Sequence, residues 1–210
     1  ALSAGPSVST VETPIDNVIP VSVGLGVAGV TTFYPNQSFV SLQICVPGTS
    51  NCATLDKVLL DTGSIGLRVF DSAVADLRLP SSSYQGRTLY QCAVFASGYT
   101  QGRVAMGDLK LGSTTAVNLP MQVIDSSPNI VPQACAQSGV PALTAPQQMG
   151  ANGILGIGPL AYESSALKVY YFVIQGAGAT VLSNLPVALR LQQPISKLNK
   201  YSNGLILNYP

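Results

Sequence analysis

Short apolar runs separated by turn residues recur along the chain, and this pattern limits its fold more than any other feature. The runs are rich in Val, Ile, Leu and Tyr and are bounded by Gly, Pro, Asn or Ser, as β-strands are. They predict strands over residues 17–23, 39–46, 53–60, 67–70, 89–96, 103–111, 117–124, 153–157, 169–174 and 205–209. The sequence therefore predicts an all-β fold.

Helical periodicity is weak and predicts only two short helices, over residues 71–77 and 185–191. Residues 128–148 contain four prolines and many small polar residues, which predict an irregular surface loop. Residues 1–16 are small, polar and interrupted by proline, as in a flexible tail. We expect a β domain over residues 17–160 and a less clearly patterned extension over 161–210.

Composition excludes several classes of protein. Hydrophobic residues make up 47% of the chain and charged residues 9%, which allows a real core and argues against disorder. The net charge is +1 without a basic block, so nucleic acid is not an expected partner. The most apolar stretch, residues 18–30, is shorter than a membrane span and contains Pro20, so no membrane span is predicted.

The four cysteines, Cys45, Cys52, Cys92 and Cys135, form no CxxC pair that would indicate a zinc ribbon. The tight Pro47-containing loop between the first two favours a Cys45–Cys52 disulfide, which leaves Cys92–Cys135; four buried free thiols are the alternative. An even cysteine count with few charges predicts a secreted or periplasmic protein. The polar first ten residues are expected to be the start of a mature chain whose leader has been removed.

No cofactor or metal site is predicted. Residues 24–29 match GxGxxG, but the β-branched and aromatic residues after them form no helix that could hold a pyrophosphate. Residues 165–168 match SxxK, yet the KTG element of penicillin-interacting serine enzymes is missing. The chain has no histidine, which excludes Ser-His and Cys-His catalysis and His-ligated zinc.

The segment VLLDTGSIGLRVF, residues 58–70, carries the strongest functional signal. An apolar strand ends in Asp61, Thr62, Gly63 and Ser64 follow, and a second apolar strand leads out. A carboxylate at the end of a buried strand is costly unless it is satisfied, so its presence indicates a use. Gly63 is expected to permit a turn that no other residue could make so tightly.

This segment resembles the catalytic turn of the pepsin-like aspartic peptidases. Residues 98–112, which begin Gly-Tyr-Thr-Gln-Gly, are similar to the flap hairpin of that family, and residues 152–158, Asn-Gly-Ile-Leu-Gly-Ile-Gly, to the strand behind its catalytic turn. The Cys45–Cys52 loop is similar to its small disulfide loop. Order and spacing agree over residues 39–158. The nearest resemblance is to a bacterial secreted group of unassigned function, whose full chains are bilobal with a second Asp-Ser-Gly.

The resemblance implies a single pepsin-type lobe and endopeptidase chemistry on a polypeptide substrate. Two carboxylates would share one proton and activate a water molecule. The resemblance implies that Asp61 is the acid/base and that Gly63 and Ser64 donate hydrogen bonds to its carboxylate. It implies that the Thr62 hydroxyl braces an opposing turn and that Tyr99 in the flap helps to exclude water. It also implies that the backbone of Ile154, Leu155 and Gly156 packs behind the turn.

A second catalytic carboxylate is missing from the motifs. Asp125-Ser126-Ser127 is the nearest match, but it lacks the glycine. We expect the partner acid from a second lobe, toward which residues 203–210 would lead, or from a homodimer mate. The alternative is a catalytically silent secreted module that binds a protein or carbohydrate in its cleft.

Overall fold

A computed structural model describes residues 19–30, 35–164 and 167–194, and the fold of this part is all-β, as predicted. Its strands are β1 (Ser22–Gly24), β2 (Gln37–Cys45), β3 (Cys52–Asp61), β4 (Ile65–Phe70), β5 (Ser83–Tyr84), β6 (Arg87–Val94), β7 (Tyr99–Leu111), β8 (Thr114–Ile124), β9 (Gly153–Ile157), β10 (Val169–Gln175) and β11 (Gly178–Val181). Two single-turn helices are present, α1 (Gln133–Ala136) and α2 (Pro146–Met149).

Six strands form a closed barrel in the order β2-β3-β9-β4-β8-β7. Antiparallel pairing of β2 with β7, at Gln43–Lys110 through Cys45–Asp108, closes it. The largest apolar cluster, which includes Leu42, Leu67 and Leu155, consists mainly of residues from these six strands. The Cys45–Cys52 disulfide joins the end of β2 to the start of β3, as predicted. Closure satisfies the backbone hydrogen bonds of strands that would otherwise be sheet edges.

The sheet continues beyond the barrel because β7 has thirteen residues, more than the barrel uses. The start of β7 pairs with β6, which pairs with β10, and β10 pairs with β11. The predicted Cys92–Cys135 disulfide fixes β6 to α1. Residues 167–194, which were assigned to an extension, therefore continue the sheet of residues 17–160, and Leu185 and Leu191 pack in a core cluster with Leu89 of β6.

Strand β9 lies between β3 and β4, the two strands that flank the Asp-Thr-Gly turn. It runs parallel to β3, with Asp61 opposite Gly156, and antiparallel to β4, with Gly66 opposite Gly156. A Cβ atom on Gly156 would lie 2.6 Å from the Ile65 nitrogen, closer than real Cβ contacts. This glycine therefore allows the two backbones to meet directly after the turn.

Several predicted element bounds are wrong for identifiable reasons. The predicted helix over 71–77 is two 3-10 turns, because Val74 between them is buried in the barrel core. The predicted helix over 185–191 shrinks to a 3-10 turn at Val187–Leu189, since Pro186 before it has a non-helical ψ of 138° and Arg190 after it is extended. β7 begins at Tyr99 rather than at 103, and β5 and β11 were not predicted.

The remaining differences concern the loop and the ends of the chain. Within the predicted irregular loop over 128–148, the structure places α1 and most of α2. At the start, β1 spans Ser22–Gly24 and overlaps the strand predicted over 17–23 at residues 22 and 23. Residues 17 and 18 of that prediction lie outside the described residues. The strand predicted over 205–209 lies outside them too, as do residues 1–16 and the linker-like segment 203–210.

We predict that Gly156→Ala destabilises the protein by about 2–3 kcal/mol, because the added methyl overlaps the backbone of Ile65. Urea unfolding measures the change. Gly24→Ala is the matched control, since a Cβ there meets nothing within 4 Å, and its effect should stay within about 0.5 kcal/mol. Equal stabilities of the two variants would show that the close approach is absent.

Candidate functional site

Asp61 is the last residue of β3 and is half-buried. Its Oδ1 atom accepts a hydrogen bond of 2.9 Å from the backbone nitrogen of Gly63. Thr62 and Gly63 are exposed. β9 lies alongside, with Leu59 opposite Ile154, Leu60 opposite Leu155 and Asp61 opposite Gly156. The structure therefore brings the predicted Ile-Leu-Gly segment to the Asp-Thr-Gly turn and leaves the outer side of the turn open.

Gly63 donates the expected hydrogen bond to the Asp61 carboxylate, but it does not have the conformational role that the sequence suggested. It is not among the glycines with a left-handed φ. A Cβ atom on it would lie 3.4 Å from Oδ1 of Asp61, an ordinary contact. The turn within this chain therefore does not require glycine, and the expectation of a glycine-only turn is corrected. Because Gly63 has no side chain, it instead leaves open space beside the Asp61 carboxylate.

Ser64 is buried, but its hydroxyl forms no hydrogen bond with Asp61 or with any other described residue. Its contribution is through the backbone: the Ser64 carbonyl accepts a 2.7 Å hydrogen bond from the nitrogen of Gly158. This bond ties the turn to the segment after β9. Thr62, whose hydroxyl was expected to brace an opposing turn, is exposed in this chain.

Behind the turn lies a buried ion pair that the sequence analysis missed. Arg68 of β4 is 0% exposed and Glu163 is 1% exposed, and their side chains are 2.6 Å apart. Oε1 of Glu163 also accepts a hydrogen bond from the Ile65 nitrogen, while Arg68 donates to the Ile65 carbonyl at 2.8 Å. The pair therefore holds both backbone groups of the first residue after the turn. Arginine in the apolar run Ile-Gly-Leu-Arg-Val-Phe was the available signal, since a buried charge needs a partner.

Tyr171 of β10 belongs to the same buried region. Burial raises the pKa of its phenol, a hydrogen bond from the Leu191 nitrogen to its oxygen opposes that rise, and the charge of Glu163 adds to it. The Leu191 nitrogen is 2.6 Å from the phenol oxygen. Since Leu191 is buried too, residues 167–194 help to enclose the ion pair.

Tyr99, the predicted flap residue, is the first residue of β7 and pairs with Val94 directly beside the tip of the β6–β7 hairpin. Its nitrogen donates to the Pro141 carbonyl at 2.9 Å, and its carbonyl accepts from the Leu143 nitrogen at 2.8 Å. Its side chain packs against the cluster around the Cys92–Cys135 disulfide. The hairpin residue that reaches the buried pair is Phe95, whose ring centroid is 5.4 Å from the guanidinium carbon of Arg68.

Within the described residues, the other carboxylates that form hydrogen bonds or ion pairs bond to groups other than Asp61. Asp125 accepts from the Ser127 nitrogen at 2.8 Å, so the predicted look-alike motif forms a local turn. Asp108 accepts from the nitrogens of Gly48 and Asn118 and stabilises the disulfide loop. Asp56 and Asp71 bond to serines, and Glu163 pairs with Arg68. None of these contacts forms a carboxylate pair with Asp61.

Within ranges 19–30, 35–164 and 167–194, no cluster of three or more His, Cys, Asp or Glu side chains could hold a metal ion. No helix in that part of the chain has the length and apolar character needed to cross a bilayer. Two disulfides and no free cysteine are compatible with an oxidising compartment.

We predict that Arg68→Met and Glu163→Leu each destabilise the protein by about 3–5 kcal/mol, because each leaves one charge buried without its partner. The double variant should lose much less than the sum. Urea unfolding of the four proteins gives the coupling energy. Arg87→Met, at an exposed arginine, is the control. Additive losses in the double variant would contradict the pairing.

Comparison with known proteins identifies a family whose function is unknown. No curated protein matches the chain significantly. A family model described as "Protein of unknown function (DUF3443)" matches residues 13–210, which includes the Asp-Thr-Gly turn, β9 and the Arg68–Glu163 pair. The chain therefore belongs to the DUF3443 family.

Proposed function

We propose that this chain supplies one aspartate of the water-activating carboxylate pair of an aspartic endopeptidase. One observation carries the proposal: Asp61 stands at the end of β3, directly opposite Gly156 of a strand inserted between β3 and β4. This is the arrangement that the resemblance to pepsin-like peptidases implies for a catalytic aspartate. The hydrogen bond from the Gly63 nitrogen fixes the orientation of the Asp61 carboxylate.

The chemistry requires a second carboxylate within a few ångströms of Asp61. Two such groups share one proton, so that the ionised member removes a proton from water and the protonated member polarises the scissile carbonyl. In this proposal the second acid comes from a second copy of the chain or from a further domain. The exposed Thr62 and Gly63 give that partner open access to Asp61.

A two-fold arrangement would place two Asp61 side chains across one axis, with the two Thr62 hydroxyls facing the opposing turns. A second domain would place an equivalent Asp-Ser-Gly turn in the same position. Both arrangements take a polypeptide substrate between the two turns. With its two disulfides, the protein is proposed to act in a secreted or periplasmic setting.

Asp61→Asn is expected to lower cleavage of a denatured protein at about pH 3–6 by at least about a hundredfold, because the amide can neither accept nor return the proton of water. Cleavage is followed by gel and mass spectrometry, with and without a statine-type inhibitor. Asp76→Asn, at an exposed aspartate on a 3-10 turn, is the matched control. The assay uses both this chain and the complete gene product. Cleavage that survives Asp61→Asn would remove Asp61 from the mechanism.

The source of the second carboxylate is a separate prediction. If two copies pair, native mass spectrometry finds a dimer, and mixing wild-type chain with excess Asp61→Asn chain lowers activity as mixed dimers form. A strictly monomeric chain that is inactive, together with an active complete gene product, indicates a further domain.

A second candidate function is a silent binding module for a protein or carbohydrate. The observation in its favour is that, within the part of the chain that the structure describes, Asp61 has no carboxylate partner. Absence of cleavage by both the chain and the complete gene product would favour this candidate over the peptidase.

A further inference from the structure

A cavity of about 320 Å³ lies between the β10–β11 hairpin and Arg190. Its volume is within the roughly 300–1,000 Å³ that is typical of small-molecule sites. Gly63, Ser64 and Arg68 line a smaller cavity of about 60 Å³ beside the Asp-Thr-Gly turn, and Glu163 lines both cavities. The residues of that turn do not line the larger cavity. An occupant of the larger cavity would therefore be separate from the substrate of the proposed peptidase.

One part of the lining is apolar. Leu185 is buried and Leu182 is half-buried, and both pack in the core cluster that contains Leu89. Val181, on the edge strand β11, also lines the cavity and is 45% exposed. Apolar surface that remains accessible in a concave site is stabilised when the hydrocarbon part of a ligand covers it.

Arg190 gives the cavity its net charge. Glu163 is the other charged residue of the lining, but it is 1% exposed and is neutralised by Arg68. Arg190 is half-buried, and it forms no ion pair with any residue that the structure describes. A partly buried cation without a partner favours the binding of an anion.

The Arg190 side chain is already held in place. Its Nε atom donates a hydrogen bond of 3.0 Å to the Leu185 carbonyl, and its guanidinium carbon lies 5.4 Å from the centroid of the Tyr162 ring. These contacts use one nitrogen and one face of the guanidinium. A ligand would therefore meet a side chain that has already lost much of its rotational freedom.

The two terminal nitrogens of Arg190 are available to a ligand. They form no hydrogen bond with another described residue, and they are not among the buried unbonded atoms of the described chain. Both therefore retain accessible surface. The half-buried Ser164 and the exposed Ser183 add hydroxyl groups to the same lining.

This combination restricts the chemical class of the ligand. The planar guanidinium matches a carboxylate, which it binds through two parallel hydrogen bonds. A single unpaired positive charge suits an anion with one negative charge, and the apolar lining suits a hydrocarbon group attached to it. At about 30 Å³ for each water molecule, the cavity has the volume of about ten waters, so the ligand is small.

We propose that this cavity binds a carboxylate that is joined to a small apolar group. The carboxylate bonds to the terminal nitrogens of Arg190, and the apolar group covers Leu182, Leu185 and Val181. Two sources supply this chemistry: a free aliphatic acid, and the carboxyl-terminal residue of a peptide that ends in an apolar side chain. The inference does not depend on the proposed peptidase function.

The test compares two carboxylates with their uncharged amides at pH 7. Hexanoate and hexanamide represent the free acid, and N-acetyl-leucine and N-acetyl-leucinamide represent the end of a peptide. Ligand-observed NMR titration of the complete gene product gives the four affinities. We expect the better carboxylate to bind at least about tenfold more tightly than its amide, because only the carboxylate forms the charged hydrogen bonds. The carboxylate that binds more tightly identifies the source.

Two variants then identify the cavity as the place of binding. Arg190→Gln removes the charge, and Val181→Asp adds a carboxylate to the lining at an exposed position while Arg190 stays in place. Each should weaken carboxylate binding by about tenfold or more and leave amide binding unchanged. Arg78→Gln, at an exposed arginine that does not line the cavity, is the control and should change neither.

Three results would overturn the proposal. They are equal affinity for each carboxylate and its amide, no saturable binding of either carboxylate, and unchanged carboxylate affinity in Val181→Asp or in a folded Arg190→Gln. Circular dichroism of each variant establishes that it is folded. If Arg190→Gln does not fold, Val181→Asp decides the result by itself.

Discussion

The insertion of β9 between β3 and β4 is the constraint on which the rest of this structure depends. It makes Asp61 and Ile65, four residues apart in the chain, neighbours of Gly156 and Ile157 on one strand. The turn between β3 and β4 then has fixed ends, and the Ser64 carbonyl is further tied to the Gly158 nitrogen. A carboxylate on such a turn is held by the sheet rather than by a mobile loop, as a precise site requires.

The Arg68–Glu163 pair adds a second layer of support to the same turn. A buried pair contributes little to net stability compared with well-packed apolar residues, because both charges lose their hydration. Here the pair instead binds both backbone groups of Ile65 and lines the cavity beside Asp61. We infer that it serves the geometry of the site. Glu163 comes from the segment before β10, so residues beyond the barrel contribute directly to the region behind the turn.

Much of the fold could be predicted from local patterns. The barrel strands are apolar runs with turn residues on both sides, and those limits are visible in a single sequence. Both disulfides could be predicted because Cys45 and Cys52 are close in sequence. Pairing them leaves only Cys92 and Cys135 to form the second disulfide. Prediction failed where tertiary packing overrode local preference: burial of Val74 divided the helix predicted over 71–77 into two 3-10 turns.

The sequence by itself determined the all-β class, the Cys45–Cys52 disulfide, the Asp-Thr-Gly turn and the Ile-Leu-Gly strand, because each depends on residues close together in the chain. The Cys92–Cys135 disulfide followed because these were the two cysteines left. Only the tertiary structure decided that Glu163 meets Arg68, 95 residues earlier, and that Ser64 joins them around a cavity. Those contacts depend on how β9 and β10 return to the sheet. Hydrophobic periodicity places a residue on a strand but does not specify which distant strand packs against it.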